Sequence, residues 1–159
     1  DKQATATSEF EILAPVSGEL VHLEKTNDPA FSSRAVGDGV AVVPQEGTVC
    51  APVSGTVAAL FPTEHALGIM SDDSSAQVML HIGIDTVKLE GKGFHALVAQ
   101  GDHVDAGQPL VEVDFDVVRA AGFDPTVFVI VCERSENSTL REHASGPVAV
   151  KEPVVWLSE

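Results

Sequence analysis

The sequence predicts an all-β protein: an antiparallel β-sandwich or barrel with an internally duplicated motif and one or two short helical turns. Three observations lead there. Val and Thr abound, Gly or Pro interrupts nearly every window in which a helix could run, and turn residues recur about every eight to twelve positions. The five residues Ala14-Pro-Val-Ser-Gly18 return unchanged as Ala51-Pro-Val-Ser-Gly55, with a weaker echo at Gly146-Pro-Val-Ala-Val150. Only Asp114-Phe-Asp-Val-Val-Arg-Ala-Ala-Gly122 joins an acidic start to a short apolar stripe and a glycine stop, the marks of a brief helix.

Taken in order, residues 1–9 are small and polar, without an initiator Met or an apolar signal core. They are expected to be a flexible linker or a remnant of flanking chain, leaving 10–159 as one domain. Each Pro-Val-Ser-Gly unit is a turn leading into a strand, because Pro presets φ and Gly permits positive φ. The strand-like runs Glu19–Leu23 and Thr56–Leu60 follow the two copies. Next, His65–Met70 and Gln77–His81 flank the turn cluster Ser71-Asp-Asp-Ser-Ser75 and form a β-hairpin. A hairpin symmetric about Asp73 sets His65 directly opposite His81, with Leu67, Ile69, Gln77 and Met79 on their face. Gly101–Leu110 is a further turn-strand device of the kind found in lipoyl and biotinyl carrier domains. None of the five lysines sits at a hairpin tip beside Met or Asp, so no covalent cofactor is expected. Val127–Cys132 is a buried strand, far below the roughly 20 residues of a membrane-spanning helix.

The charge balance narrows the function. Nine Lys and Arg against 24 Asp and Glu leave a net charge of −15. Without a basic cluster, nucleic acid and anionic membrane are repelled, and a basic protein partner is favoured. Two cysteines, Cys50 and Cys132, are too few for a disulfide framework and lack CxxC spacing, which predicts a reducing, cytoplasmic setting.

Two imidazoles opposed on an apolar strand face are the chemistry-bearing feature. Such a pair can bind a metal, or one ring can act as a nucleophile while the other holds the product. Zinc needs a third ligand, and no HxH or HExxH spacing supplies one. His22, His95, His103 and His143 are expected to be structural or solvated. There is no GxSxG and no Walker-type loop, so neither serine nucleophile chemistry nor nucleotide binding has a signal.

Seven segments then carry a resemblance: Ala14–Gly18, Val36–Gly39, Ala51–Thr56, Phe61-Pro-Thr-Glu-His-Ala66, His81-Ile-Gly-Ile-Asp-Thr-Val87, Gly91–Phe94 and Gly101–Val104. In this order the sequence resembles the glucose-type enzyme IIA proteins and domains of the bacterial phosphoenolpyruvate-dependent sugar phosphotransferase system. The resemblance implies a cytoplasmic phosphocarrier, free or tethered to a membrane permease. It would accept a phosphoryl group from the histidine-containing phosphocarrier protein and pass it to a cysteine of a IIB domain for sugar uptake. His81 matches the phosphoryl acceptor, His65 its stabilising partner, and Thr63 the hydroxyl that orients the pair. Phe31, Val36, Phe61, Leu67, Met79 and Val87 would form an apolar docking surface, with Asp28 and Asp85 on its rim to meet donor arginines. The resemblance calls for no cofactor, although the two histidines could pick up adventitious zinc. Two departures stand out: a hairpin turn one residue longer, and Ile82 in place of a common Phe. Two other readings are a zinc-dependent hydrolase on a related β-fold and a non-catalytic regulatory binding module.

Overall fold

In the computed structural model, which describes residues 9–159, alternating apolar positions build fourteen strands among those residues. They are β1 (Phe10–Leu13), β2 (Gly18–His22), β3 (Asp38–Pro44), β4 (Thr48–Cys50), β5 (Gly55–Leu60), β6 (Ala66–Ser71) and β7 (Ala76–Ile82). Then follow β8 (Phe94–Ala96), β9 (His103–Val104), β10 (Pro109–Val113), β11 (Val127–Arg134), β12 (Thr139–Glu142), β13 (Gly146–Val148) and β14 (Pro153–Ser158). The expected linker lies outside the described residues except for Glu9, whose carboxylate accepts from Arg141 at 3.0 Å. One sheet has eight strands in the order β9-β5-β6-β7-β11-β3-β2-β13, and two have three, β4-β10-β8 and β12-β14-β1. Among the described residues every pairing is antiparallel. Inward residues of the large sheet, such as Leu20, Val42, Ile69, Leu80 and Val129, share one core with Ile12, Val49, Leu110 and Val155 of the small sheets. That is the sandwich the sequence predicts.

The duplication extends through the whole fold. β9-β5-β6-β7 with β4-β10-β8 matches β13-β2-β3-β11 with β1-β14-β12, as if turned about an axis through the Leu80–Val129 pair. The two Ala-Pro-Val-Ser-Gly units clasp each other there. Leu13 N–H donates to Pro52 O at 2.9 Å, and Cys50 N–H to Pro15 O at 2.8 Å. Gly18 and Gly55 are required, since a Cβ on either would strike the carbonyl of Val43 or Met70 on the neighbouring strand. The echo at Gly146–Val150 is corrected: it matches not these units but residues 102–106. Ser17 Oγ accepts from Val150 N–H at 2.9 Å, just as Ser54 Oγ accepts from Ala106 N–H at 2.8 Å. Residues 48–113 make one copy in a single stretch, and residues 10–44 and 127–158 make the other around it.

The predicted helix is α2 (Phe115–Ala120), capped by the Asp114 carboxylate on Asp116 and Val117 N–H. A second helical turn, α1 (Pro29–Ser32), starts from Asp28 as its N-cap with Pro29 next, and its four residues are too few to show an apolar stripe in the sequence. It brings Phe31 onto the outer face of the large sheet, against Leu23, Ala41, Phe128 and Ile130.

Candidate active site

The hairpin β6–β7 pairs one residue away from the predicted register. His81 faces Ala66, and Gly68 faces Met79. The turn takes in Ser75 because the Asp73 carboxylate binds its N–H at 2.9 Å and its hydroxyl at 2.7 Å, with Ser74 left-handed at φ 59°. His65 therefore lies just before the strand, not within it. Its carbonyl accepts from Ile82 N–H at 2.7 Å, and Glu64 (φ 64°) turns the chain ahead of it. The rings still meet: their centroids are 5.1 Å apart and their planes nearly perpendicular, at 86°.

Each ring is oriented by one partner. His81 Nδ1–H donates to Gly83 O at 2.8 Å, and a carbonyl can only accept, so the hydrogen sits on Nδ1 and Nε2 keeps its lone pair. His65 Nδ1 is hydrogen-bonded to the Thr63 hydroxyl at 2.6 Å. His65 is 3% exposed, and burial, followed by its neighbour His81, pushes its pKa down to about 4. Burial also lowers His81, against the opposing pull of the Gly83 carbonyl and the charges of Asp28 and Asp85. At neutral pH both imidazoles are uncharged. Aromatic rings complete the walls. Phe31 lies 5.2 Å from His81 and stacks on Phe128 at 4.4 Å, while Phe61 meets His65 edge-on at 5.4 Å.

Residues 10–137 match the family model described as phosphoenolpyruvate-dependent sugar phosphotransferase system, EIIA 1. The chain belongs to this family. The glucose-specific EIIA component of Bacillus cereus is 42% identical over 145 residues, which is 91% of this chain and 87% of that protein. The glucose-specific EIICBA component of Streptococcus pneumoniae is 41% identical over 144 residues, 91% of this chain but 20% of that longer protein. This EIIA chain thus spans about a fifth of such fused relatives, in which EIIA is joined to EIIB and EIIC. Among solved structures, glucose permease IIA from Mycoplasma capricolum matches with a TM-score of 0.85 and 35% identity, over 94% of this chain and 96% of that one. EIIA is a phosphotransferase component of the sugar phosphorylation relay. Among the described residues, no helix is long and apolar enough to cross a membrane.

Most of the expected site residues of this EIIA converge. Phe61 is 47% exposed beside His65, and Val36 and Val87 are likewise exposed apolar side chains. Met79, two residues before His81 and on the same outer face of β7, is half-buried against the Phe31–Phe128 cluster. Asp28 and Asp85 act on His81 through their charge, Asp28 while capping α1. Two expectations are corrected. Leu67 is 1% exposed and belongs to the core, because the shifted register turns it and Ile69 inward and leaves Ala66 and Gly68 beside the outer residues of β7. Phe31 is only 5% exposed, so it is a wall of the site more than a docking surface. Phe128, paired with His81 across β7 and β11, escapes a reading of the sequence. Its signal is an outward place in the alternation of Val127–Cys132, but only knowing that β11 adjoins β7 gives it meaning. The hydrolase reading needs a third ligand. Among the described residues no three His, Cys, Asp or Glu side chains converge to hold a metal ion. Neither that reading nor the non-catalytic one gains support from the family match.

Proposed function

We propose that His81 Nε2 takes a phosphoryl group from the phosphohistidine of the histidine-containing phosphocarrier protein and gives it to a cysteine of a IIB domain, for sugar uptake. The observation that carries this is the Gly83 carbonyl on Nδ1, which presents a neutral ring with its Nε2 lone pair free. In acceptance, the Nε2 lone pair forms the new N–P bond as the donor's N–P bond breaks and its pair returns to the donor ring. The Nδ1 hydrogen stays in place, and its bond to Gly83 O becomes charge-assisted as the phosphorylated ring turns cationic. In delivery, a thiolate forms the S–P bond and the pair returns to Nε2. With Thr63 donating to His65 Nδ1, His65 Nε2 carries a hydrogen that can bind a phosphoryl oxygen. The exposed side chains of Phe61, Val36 and Val87 would seat a partner and exclude water during transfer. Asp28 and Asp85 would attract its basic groups.

Incubation with phosphoenolpyruvate, the general phosphotransferase enzyme and the phosphocarrier protein tests this by intact mass. The protein should gain one acid-labile phosphoryl group, and His81→Gln should gain none. Normal labelling of His81→Gln would sink the assignment.

A further inference from the structure

The nitrogen of His81 that reacts is chosen by the hydrogen on the other, and a single carbonyl holds that hydrogen. Two successive peptide groups set the direction of that carbonyl, and each is pinned on both sides. In the first, Gly83 N–H donates to Thr126 O at 2.8 Å, and Ile82 C=O accepts from the Thr86 hydroxyl at 2.5 Å. In the second, Ile84 N–H donates to Asp124 O at 2.9 Å, and Gly83 C=O accepts from His81. Thr86 is fully buried at the start of the 3-10 turn Thr86–Leu89, and its methyl fills the space that a side chain on Gly83 would enter. Gly83 has φ 81°, a conformation that glycine leaves as easily as it adopts, so the constraint must come from its neighbours. The 124–126 segment is itself fixed. The Asp124 carboxylate accepts from Thr126 N–H at 2.9 Å, from the Thr126 hydroxyl at 2.5 Å and from Asn27 at 3.0 Å.

We propose that Thr86 is a positioning residue for phosphoryl transfer: its hydroxyl holds the Ile82–Gly83 peptide so that the Gly83 carbonyl stays on His81 Nδ1 and Nε2 remains the attacking nitrogen. The proposal rests on His81 being the acceptor. Without the hydroxyl, the Ile82 carbonyl loses a buried donor and the turn relaxes to recover one. The Gly83 carbonyl then swings, and the ring gains access to the tautomer with its hydrogen on Nε2, which cannot attack.

The test compares Thr86→Val, which keeps the shape and loses the hydroxyl, with Thr86→Ser, which keeps the hydroxyl. Nitrogen-15 spectra of the unphosphorylated imidazoles at neutral pH report the tautomer without any phosphoryl donor, so failure of the acceptor assignment is read separately in the labelling assay. In the unmodified protein the two His81 nitrogens should be widely separated, as for one tautomer. In Thr86→Val they should move towards each other while those of His65 stay put, and phosphoryl acceptance should slow roughly three- to tenfold, the rate equivalent of one hydrogen bond. Thr86→Ser should restore both. A folded Thr86→Val with an unchanged His81 spectrum overturns the proposal, as does a Thr86→Ser that behaves like Thr86→Val. Should Thr86→Val fail to fold, Thr86→Ser decides alone: loss of the wide separation in that variant overturns the proposal.

Discussion

Between β2 and β3 the chain runs through residues 23–37, whereas the equivalent connection between β5 and β6 takes only residues 61–65. The long connection lays Leu23 and Phe31 over Ala41, Phe128 and Ile130, closing the outer face of its half. The short one leaves the outer face of β6 and β7 open, with Gly68, Met79 and His81 at the positions that correspond to Ala41, Phe128 and Ile130. The position of His65 corresponds to Asp38, and there the contrast is electrostatic. Asp38 accepts from Arg34 at 3.1 Å and faces Arg134 at 3.5 Å, whereas His65 has the Thr63 hydroxyl and no ion pair among the described residues. One backbone frame thus carries a covered, ion-paired half and an open half with uncharged rings. The reactive pair needs the second setting, because a carboxylate in direct ion-pair contact would raise an imidazole's pKa and favour the protonated ring, which has no lone pair to attack with.

The largest effect expected concerns the corresponding residues His65 and Asp38. His65→Gln should still accept phosphate from the donor but deliver it to a IIB domain roughly 100- to 1000-fold more slowly, as when one preorganised donor to the phosphoryl group is lost. Asp38→Asn should leave both steps unchanged, as rapid-quench transfer assays would show. Equal losses from the two variants would break the comparison.

Next come Phe128 and its counterpart Met79. Phe128 is fully buried and Met79 half-buried. Phe128→Ala should cost about 3 kcal/mol and Met79→Ala about 1 kcal/mol, read as shifts in urea midpoints at constant slope.

The third prediction concerns pH. His65 is held at about 4 in the folded protein against about 6.5 when unfolded, so between these values the unfolded chain binds more protons. Stability should therefore fall as pH drops from 6.5 towards 4, by as much as about 2–3 kcal/mol, with His81 adding in the same direction. Urea titrations across that range should give a flatter profile for His65→Gln. An unchanged slope would mean that His65 does not stay neutral.

The smallest effect belongs to the covered half. Arg34 donates to Glu142 at 2.7 Å, Glu24 at 3.0 Å and Asp38 at 3.1 Å. These partners hold its guanidinium protonated more firmly than usual, the Glu142 bond foremost. Arg34→Met should destabilise by about 0.5–1 kcal/mol, and less at high salt because the network is partly solvated. Phosphoryl acceptance should persist. A loss independent of salt would point to packing of the Arg34 stem instead of charge.

The sequence shows these regions unequally. Ala-Pro-Val-Ser-Gly is visible twice because Gly18 and Gly55 each pass against a neighbouring carbonyl, so both copies kept the residue. The other half of the repeat is hidden because unlike residues fill its matching positions. Lys151 takes φ 75° where Gly107 takes φ 88°. The Glu152 side chain accepts from Ala149 N–H at 3.0 Å, and the Gln108 side chain makes the same bond to Asp105 N–H at 3.0 Å. The histidine pair is legible from the two runs that bracket the turn. Its register is not, since one carboxylate, Asp73, decides how many residues the loop holds. Phe128 and Thr86 are invisible for a different reason. Their roles arise from strand pairing and a turn that only the folded chain sets beside the groups they support.

Because residues 48–113 form one copy while the other is split into 10–44 and 127–158, the two copies cannot be completed in the same order during synthesis. The inner copy is whole once its last strand leaves the ribosome. The outer copy has three strands waiting, and β3 finds its partner β11 only after the inner copy has been made. Closure of so long a loop is slow, so the docking of β11 between β3 and β7 should be a late folding step, followed only by β12, β13 and β14. That strand carries Phe128 against His81. A nascent chain stalled before Val127 would therefore own both histidines and lack the wall behind them, and reactivity would appear only once residues 127–134 have emerged and paired.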